Sequence, residues 1–320
     1  MSLKLDLKDK KILYELDYNS RQSNAEIAKK IGLSKDTINY RIKKLEFNNY
    51  IQGYYTIINF TPLNYISFRV YFKLFDASPE IETQIKEFLK NHKMIFGLAE
   101  LEGQYDLTYI ALVKDIYQFA KFQTEFKEKF NSYITNENIS IFTKVHHFHR
   151  IYLLEKEHDE KKPEVFGENQ EISCDELDIN ILKLLAKDAR IPTIEISQNL
   201  NTAPRTIAFR IKQLEKKKII QGYRFNFNFD LFGYQYFKID LTLKDISRKK
   251  ELISYAKLHP NIIYIDETIG GSDFEFDIEV KNKEQFFNIM NELRIKFPEI
   301  RYWTYFTIRK YLKLLYFPEN

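Results

Sequence analysis

The sequence predicts an α+β chain in which one compound unit is used twice: three helices and a β-ribbon, then a βαββαβ unit, then the same series again. Three observations predict it. "RIKKLE" (Arg41–Glu46) returns as "RIKQLE" (Arg210–Glu215), each followed by "IQGY" at Ile51–Tyr54 and Ile220–Tyr223. Sliding the chain by 169 residues aligns Ile12–Tyr54 with Ile181–Tyr223 without a gap, with 17 identities in 43 positions. Beyond Phe68 the offset becomes 167, and His92, Gly103, Asp106, Val113 and Gln118-Phe119 meet His259, Gly270, Asp273, Val280 and Gln285-Phe286. A repeat this long marks duplicated domains rather than a solenoid of short units.

In copy one, Ile12, Leu13 and Leu16 give a first helix its apolar face. Ser23 or Asn24 can cap a short second helix through Ile27 and Ala28, and "IGLS" (Ile31–Ser34) turns the chain. A third helix runs from about Lys35 to Asn48, with Ile38, Ile42 and Leu45 inward at i, i+4, i+7. "IQGYYTIINF" and "IQGYRFNFNF" read as ribbons. Three helices and a ribbon make a winged helix-turn-helix. The second part reads strand Tyr65–Phe75, helix Glu80–His92, strands Ile95–Leu101 and Asp106–Val113 around Gly103, helix Ile116–Phe130 and strand Ile139–Leu154. Copy two repeats the order at Tyr234–Leu243, Ser247–His259, Ile262–Ile269, Asp273–Val280, Lys283–Phe297 and Ile300–Tyr316. This is the ferredoxin-like arrangement, with helices on one face of the sheet. The other face, rich in Phe, Tyr and Ile, needs a cover. The other copy's sheet is the natural one, which makes the chain an intrachain pseudo-dimer. The expected boundaries are 1–60 and 174–230 for the helical domains, 61–156 and 231–320 for the ferredoxin-like domains, and 157–173 for a charged, solvated linker.

A hydrophobic share of 44% with 29% charged residues describes a soluble chain with real cores. No apolar run approaches membrane-spanning length, and "MSLKLDLKDKK" has no apolar signal core, so the expectation is a cytoplasmic protein without a membrane partner. The single cysteine, Cys174, excludes an internal disulfide and a cysteine zinc cage. The net charge of +4 is unevenly spread: residues 1–59 carry +4 and 175–230 carry +3, which leaves −3 for the rest. Positive charge gathered on both helical segments fits a polyanion, and double-stranded DNA is the expected partner.

In a helix-turn-helix the third helix enters the major groove. The expected DNA-facing residues are Ser34, Lys35, Asp36, Thr37, Asn39, Tyr40, Arg41, Lys43 and Lys44 in copy one. In copy two they are Ala203, Pro204, Arg205, Thr206, Ala208, Phe209, Arg210, Lys212 and Lys216. Arg205 suits a bidentate guanine contact and Asn39 an adenine. Arg41, Arg210 and the lysines suit phosphates, which position without specifying. The turns "EGQYD" (Glu102–Asp106) and "GGSD" (Gly270–Asp273) read first as tight turns needing glycine. An effector pocket around Gly103, Tyr105, Asp106, Gly270 and Asp273 is the functional alternative. "HHFH" (His146–His149) is the densest set of metal-ligand types, with His147 and His149 expected on one strand face and His146 on the other. No carboxylate or thiol is visibly paired with it, so it reads as a surface strand, and neither a metal nor a cofactor is expected. Walker, dinucleotide-binding, nucleophile-elbow and zinc-protease motifs are absent from the sequence.

In their order and spacing, "LDLKDKKILYEL", "NAEIAKKIGLS", "TINYRIKKLE", "IQGY" and "GQYD", repeated in copy two, resemble the leucine-responsive/AsnC (feast/famine) family of transcription regulators. The resemblance implies an N-terminal DNA-binding domain, a C-terminal domain that oligomerises and can bind amino acids, and no enzymatic activity. Glu102 and Ile269 depart from the small hydroxyl residues common before that glycine, and Ser272 stands where copy one has Tyr105. A second branch of similar architecture, the siroheme decarboxylases, relies on histidines and arginines, and "KVHHFHR" (Lys144–Arg150) keeps that enzyme as the alternative.

Overall fold

The computed structural model describes residues 5–154, 163–167 and 172–318. Copy one runs α1 Leu7–Tyr18, α2 Asn24–Ile31, α3 Lys35–Phe47, β1 Ile51–Ile58, β2 Ile66–Leu74, α4 Pro79–Asn91, β3 Ile95–Gly103, β4 Leu107–Val113, α5 Ile116–Phe130 and β5 Ile134–His147. A short strand β6, Glu164–Gly167, follows. Copy two runs α6 Glu176–Lys187, α7 Thr193–Asn199, α8 Pro204–Lys216, β7 Ile220–Phe227, α9 Phe229–Phe232, β8 Gln235–Leu243, α10 Lys249–Leu258, β9 Ile262–Ile269, β10 Phe274–Val280, α11 Lys283–Lys296 and β11 Ile300–Leu314.

Local chemistry sets the helix ends. Asp6 caps α1 and Ser23 caps α2, each in a reciprocal box with Asp9 or Glu26, so orphan N–H groups are satisfied on both sides. The turn before α3 needs a left-handed residue: Gly32 supplies it at φ 73°, and Asn201 does so in copy two at φ 47°. Ile12, Leu13, Leu16, Ile27, Ile38, Ile42 and Leu45 then bury together, as do their counterparts in copy two.

The ribbon is shared between the copies. β1 pairs antiparallel with β7, from Ile51 opposite Phe227 to Ile58 opposite Ile220. Each copy contributes one strand, because the chain leaves β1 directly for β2.

The ferredoxin-like halves merge in the same way. The strand order is β2-β4-β3-β11-β8-β10-β9-β5, and β5 pairs back onto β2, so eight strands close on themselves. The long strands β5 and β11 make the closure. Residues 134–141 of β5 pair with β2 of their own copy, and 141–147 pair with β9 of the other. Residues 300–306 of β11 pair with β8, and 306–314 with β3. Closure covers most of the sheet edge that would otherwise recruit other chains. The outer faces are covered by the remaining helices, through Phe119, Phe122 and Phe126 in copy one and Phe286, Met290 and Leu293 in copy two.

Two expectations are corrected. The strand expected over Ile139–Leu154 begins at Ile134 and ends at His147, and Ile151–Leu154 form a short 3-10 turn packed beside α1. Its buried Ile151, Tyr152 and Leu153 are drawn away from the sheet by the helical domain. The linker is not solvated throughout: Glu164–Gly167 lies on β5, with Lys144 opposite Gly167 and His147 opposite Glu164. Its residues 157–162 and 168–171 lie outside the described residues.

Candidate nucleic-acid interface

The two helical domains are clasped by a reciprocal set of contacts. Arg21 donates to the carbonyls of Ala189 and Ile191 at 2.6 and 2.9 Å, and its counterpart Arg190 donates to the Ser20 carbonyl at 2.7 Å. Arg21 lies over the Tyr223 ring and Arg190 over the Tyr54 ring. Ser20 N–H donates to the Tyr223 carbonyl, and Ala189 N–H to the Tyr54 carbonyl. Apart from the Arg21–Ile191 bond, each of these contacts has its partner 169 residues away. The clasp and the β1–β7 ribbon therefore hold α3 and α8 in one head related by a pseudo-two-fold axis.

The repeated phrase proves to be scaffold. Arg41 pairs with Asp6 and Asp9 of α1 at 2.8 and 2.7 Å, and Arg210 pairs with Asp175 and Asp178 at 2.7 and 3.3 Å. These arginines, expected to hold phosphates, each lie against two carboxylates in this structure. Glu46 accepts from Tyr54 Oη at 2.6 Å, and Glu215 from Tyr223 Oη at 2.6 Å. Burial and that carboxylate hold both phenols well above their usual range. "RIKKLE" and "IQGY" thus bind each other and α1.

Most of the residues left outward differ between the copies; Lys43/Lys212 and Thr37/Thr206 are shared. Ser34 caps α3 and Thr37 closes that cap. Lys35, Asp36, Tyr40, Lys43 and Lys44 are exposed, as are Ala203, Pro204, Arg205, Thr206, Ala208, Phe209, Lys212 and Lys216. Tyr40 and Phe209, equivalent positions, are 66% and 57% exposed, which is unusual for aromatic rings not awaiting a surface. Asn39 is half-buried. Its Oδ1 accepts from Asn24 at 2.5 Å, and Asn24 in turn accepts from Arg190. Only its Nδ2 is left for a base, which weakens the bidentate adenine contact expected of it.

The five residues expected around an effector do not converge. Asp106 Oδ2 accepts from Leu74 N–H at 2.9 Å, and Asp273 Oδ2 from Leu243 N–H at 2.8 Å, so both aspartates hold their own turns. Tyr105 is buried against Tyr71 and Phe306. Gly103 and Gly270 take φ 129° and 84°, and a Cβ on either would press on the crossing strand, at Phe306 and Ile139 respectively. These glycines are needed where β11 and β5 change partners. Asp106 alone of the five lines a cavity of about 550 Å³, together with Glu82, Lys86, Glu100 and Arg309.

The histidines are built into the fold. His146 Nε2 lies 2.9 Å from Glu267, and His149 Nε2 lies 3.2 Å from Glu164. His147 packs on Tyr264 and Phe166, and burial, with Arg224 near, lowers its pKa to about 3. Among the described residues no group of three metal-ligating side chains converges.

The sequence reading missed an ionic seam beneath the head. Arg150 bridges Asp17 of α1 at 2.8 Å and Glu279 of β10 at 2.9 Å. Arg224 pairs with Glu164 of β6 and donates to the Phe148 carbonyl. Burial opposes ionisation of Glu164, but Arg224 outweighs it and holds the carboxyl at about 2. One signal was available: charges at every second residue of "FEFDIEV" put Glu275, Asp277 and Glu279 on one strand face.

Fold and exposed helices define a helix-turn-helix protein, and the comparisons narrow the class. A winged helix-turn-helix DNA-binding family model matches residues 5–52 and 175–221. The HTH-type transcriptional regulator Ptr1 of Methanocaldococcus jannaschii is 35% identical over 123 residues, 38% of this chain and 80% of Ptr1. The regulator FL11 of Pyrococcus furiosus is 30% identical over 117 residues, 37% of this chain and 78% of FL11. The chain belongs to this family of HTH-type transcriptional regulators, the Lrp/AsnC class, in tandem-duplicated form. Over its whole length the fold is similar to the siroheme decarboxylase NirDL, with a TM-score of 0.62 and 10% identity, covering 97% of this chain and 94% of that one. No helix among the described residues is long and apolar enough to cross a membrane.

Proposed function

We propose that the chain is a cytoplasmic, non-enzymatic regulator that reads an asymmetric double-stranded DNA site, with α3 and α8 in successive major grooves. One observation carries the reading: a reciprocally clasped head presents two helices whose shared Ile and Leu face inward and whose outward faces differ at most positions, from Lys35-Asp36 against Pro204-Arg205 to Asn39-Tyr40 against Ala208-Phe209. The proposed contacts are Ser34, Lys35, Asp36, Thr37, Asn39, Tyr40, Lys43 and Lys44 from copy one, and Ala203, Pro204, Arg205, Thr206, Ala208, Phe209, Lys212 and Lys216 from copy two. Lys43, Lys44, Lys212 and Lys216 hold phosphates, and Arg205 reads a guanine. Sequence selection from random DNA, followed by affinity against salt, tests this. A non-palindromic consensus and a steep fall of affinity with salt are expected. Arg205→Ala should cost about 1–3 kcal/mol and relax one base pair. A clean palindrome, or a preference unchanged in Arg205→Ala, would refute the reading.

An amino-acid-like effector would take the cavity beside Asp106, its carboxylate replacing Glu100, on which Lys86 and Arg309 now rest, and its amine meeting Glu82. Calorimetry with a panel of amino acids tests it, and Asp106→Asn should weaken any binding found. The enzyme alternative has less support, because the histidines that suggested it are committed to carboxylates and packing.

A further inference from the structure

The two copies are related residue for residue, yet one of two equivalent sheet edges is occupied and the other is open. On copy one's side, β5 runs past the end of β2 and β6 lies on the edge so exposed. Asn59 clamps the end of β6: its Nδ2 donates to the Gly167 carbonyl at 3.3 Å, and its Oδ1 accepts from Gly167 N–H at 3.2 Å. Gly167 sits at φ 112°, and a Cβ there would collide with the Thr143 carbonyl. At the other end Glu164 is held by Arg224 and by His149.

On copy two's side, β11 leaves β8 at Phe306 and continues to Leu314 with β3 on its other flank. Among the described residues no strand takes the place that β6 takes on β5. A groove of about 1020 Å³ runs there instead, lined on β11 by Thr307, Ile308, Lys310, Tyr311 and Leu314. Asn228, the counterpart of Asn59, lines the same groove. Where the occupied side has Arg224 and His149, the open side has Tyr55 and Tyr316, stacked at 4.1 Å and also in the lining.

We propose that this groove binds one extended segment of a partner protein by strand addition to β11. The segment carries an aromatic residue at the place of Glu164 and a glycine three residues on. An uncovered strand edge offers backbone donors and acceptors as a template, and side pockets supply the selectivity. This chain's own Glu164–Gly167 is already seated on β5. A second copy's linker fits poorly: the guanidiniums nearest Tyr55, Arg224 and Arg150, are already paired with Glu164, Asp17 and Glu279, so an incoming Glu164 would be desolvated against the tyrosine rings without a free cation. An aromatic side chain stacks on those rings, and Asn228, whose Nδ2 donates to the Asn49 carbonyl at 2.9 Å and whose Oδ1 accepts from Leu231 N–H at 3.4 Å, keeps a second N–H and a second lone pair for the glycine.

The probe is a fluorescein-labelled peptide of residues 163–169 carrying E164Y, with the unsubstituted peptide beside it. Saturable one-to-one binding to the full chain is expected, with the unsubstituted peptide about tenfold weaker or more. N228A should weaken binding about fivefold or more. Hydrogen exchange on the unmutated chain should slow at 307–314 and not at 144–147, a readout that stands whether or not N228A folds. Absence of saturable binding up to about 1 mM, protection at 144–147, or indifference to N228A would overturn the proposal. So would a chain dimer that the peptide dissociates, because the occupant would then be a second copy. None of these readouts depends on DNA.

Discussion

The two heads and the two halves of the barrel descend from the same repeat, but they have diverged in opposite ways. In the heads the internal contacts are duplicated almost bond for bond: Arg41 and Arg210 on paired aspartates, Glu46 and Glu215 on tyrosines, Arg21 and Arg190 across the axis. Inside the barrel the copies no longer match. Copy two places Asp240, Asp266, Glu275 and Asp277 where copy one has Tyr71, Ala99, Thr108 and Ile110. Arg69 of copy one pairs with Asp266 at 2.9 Å and with Glu275 of copy two, and Lys238 joins Asp266 at 2.7 Å. DNA presents near-equivalent grooves to both heads, so their scaffold is kept symmetric. Each barrel face meets only the other, so complementary charge can grow one-sided. Two acidic halves would repel each other, and two halves of copy one would leave Arg69 without a carboxylate. The divergence thus favours pairing within the chain.

Breaking that asymmetry has the largest expected effect. Arg69 is almost fully buried, and Arg69→Met leaves Glu275 and Asp266 with Lys238 alone. Removing one partner of a buried ion pair costs about 3–5 kcal/mol. Urea unfolding of the full chain measures it, and a loss below about 1 kcal/mol would mean the cluster is solvated and the asymmetry energetically idle.

The same cluster gives a pH signature. Burial raises the carboxyls of Asp240 and Asp277 from 3.8 to about 6. A carboxyl raised on folding binds its proton more tightly in the native state. Its stabilising contribution is therefore full below pH 3.8 and lost as pH rises through 6. Asp277→Asn cannot titrate. Its stability relative to the parent should rise by about 1.4 kcal/mol per pH unit across that window and level off above it. Glu164 and His147, whose pKa values fall on folding, lose stability on acidification instead, but equally in both proteins, so the difference reports Asp277 and the carboxyls that share Lys238 with it. A pH-independent difference would place its carboxyl in water.

Helix-turn-helix order, the βαββαβ order and the pairing of copies were legible because periodicity and a long gapless repeat report local structure and duplication. The sharing of strands was not. Nothing in "IQGY" says that β1 pairs with β7, and the length of β5 and β11 becomes meaningful only once two copies are placed together. The ion pairing of Arg41 was hidden for a related reason. A basic residue on a recognition helix suits phosphate, and only the fold brings Asp6 and Asp9 beneath it. The buried seam of Asp17, Arg150 and Glu279 joins residues more than a hundred positions apart, beyond any spacing rule. The outward faces of α3 and α8 were readable because inward Ile and Leu leave them no other direction.

The smallest expected effect sharpens the comparison from the symmetric side. Arg41 and Arg210 make partly exposed pairs, with side chains 25% and 33% accessible. Such pairs contribute about 0–1 kcal/mol. Arg41→Ala and Arg210→Ala should therefore each cost under about 1 kcal/mol and agree closely with each other, since both heads use the same staple. Neither should alter the salt dependence of DNA binding, because a guanidinium held by two carboxylates has no counterions of DNA to release. Lys43→Ala, on an exposed phosphate-facing position, should lower the magnitude of that slope by about one. A slope change in Arg41→Ala equal to that in Lys43→Ala would show that Arg41 leaves Asp6 and Asp9 for the phosphates when DNA arrives. The repeated phrase would then be grip as well as scaffold.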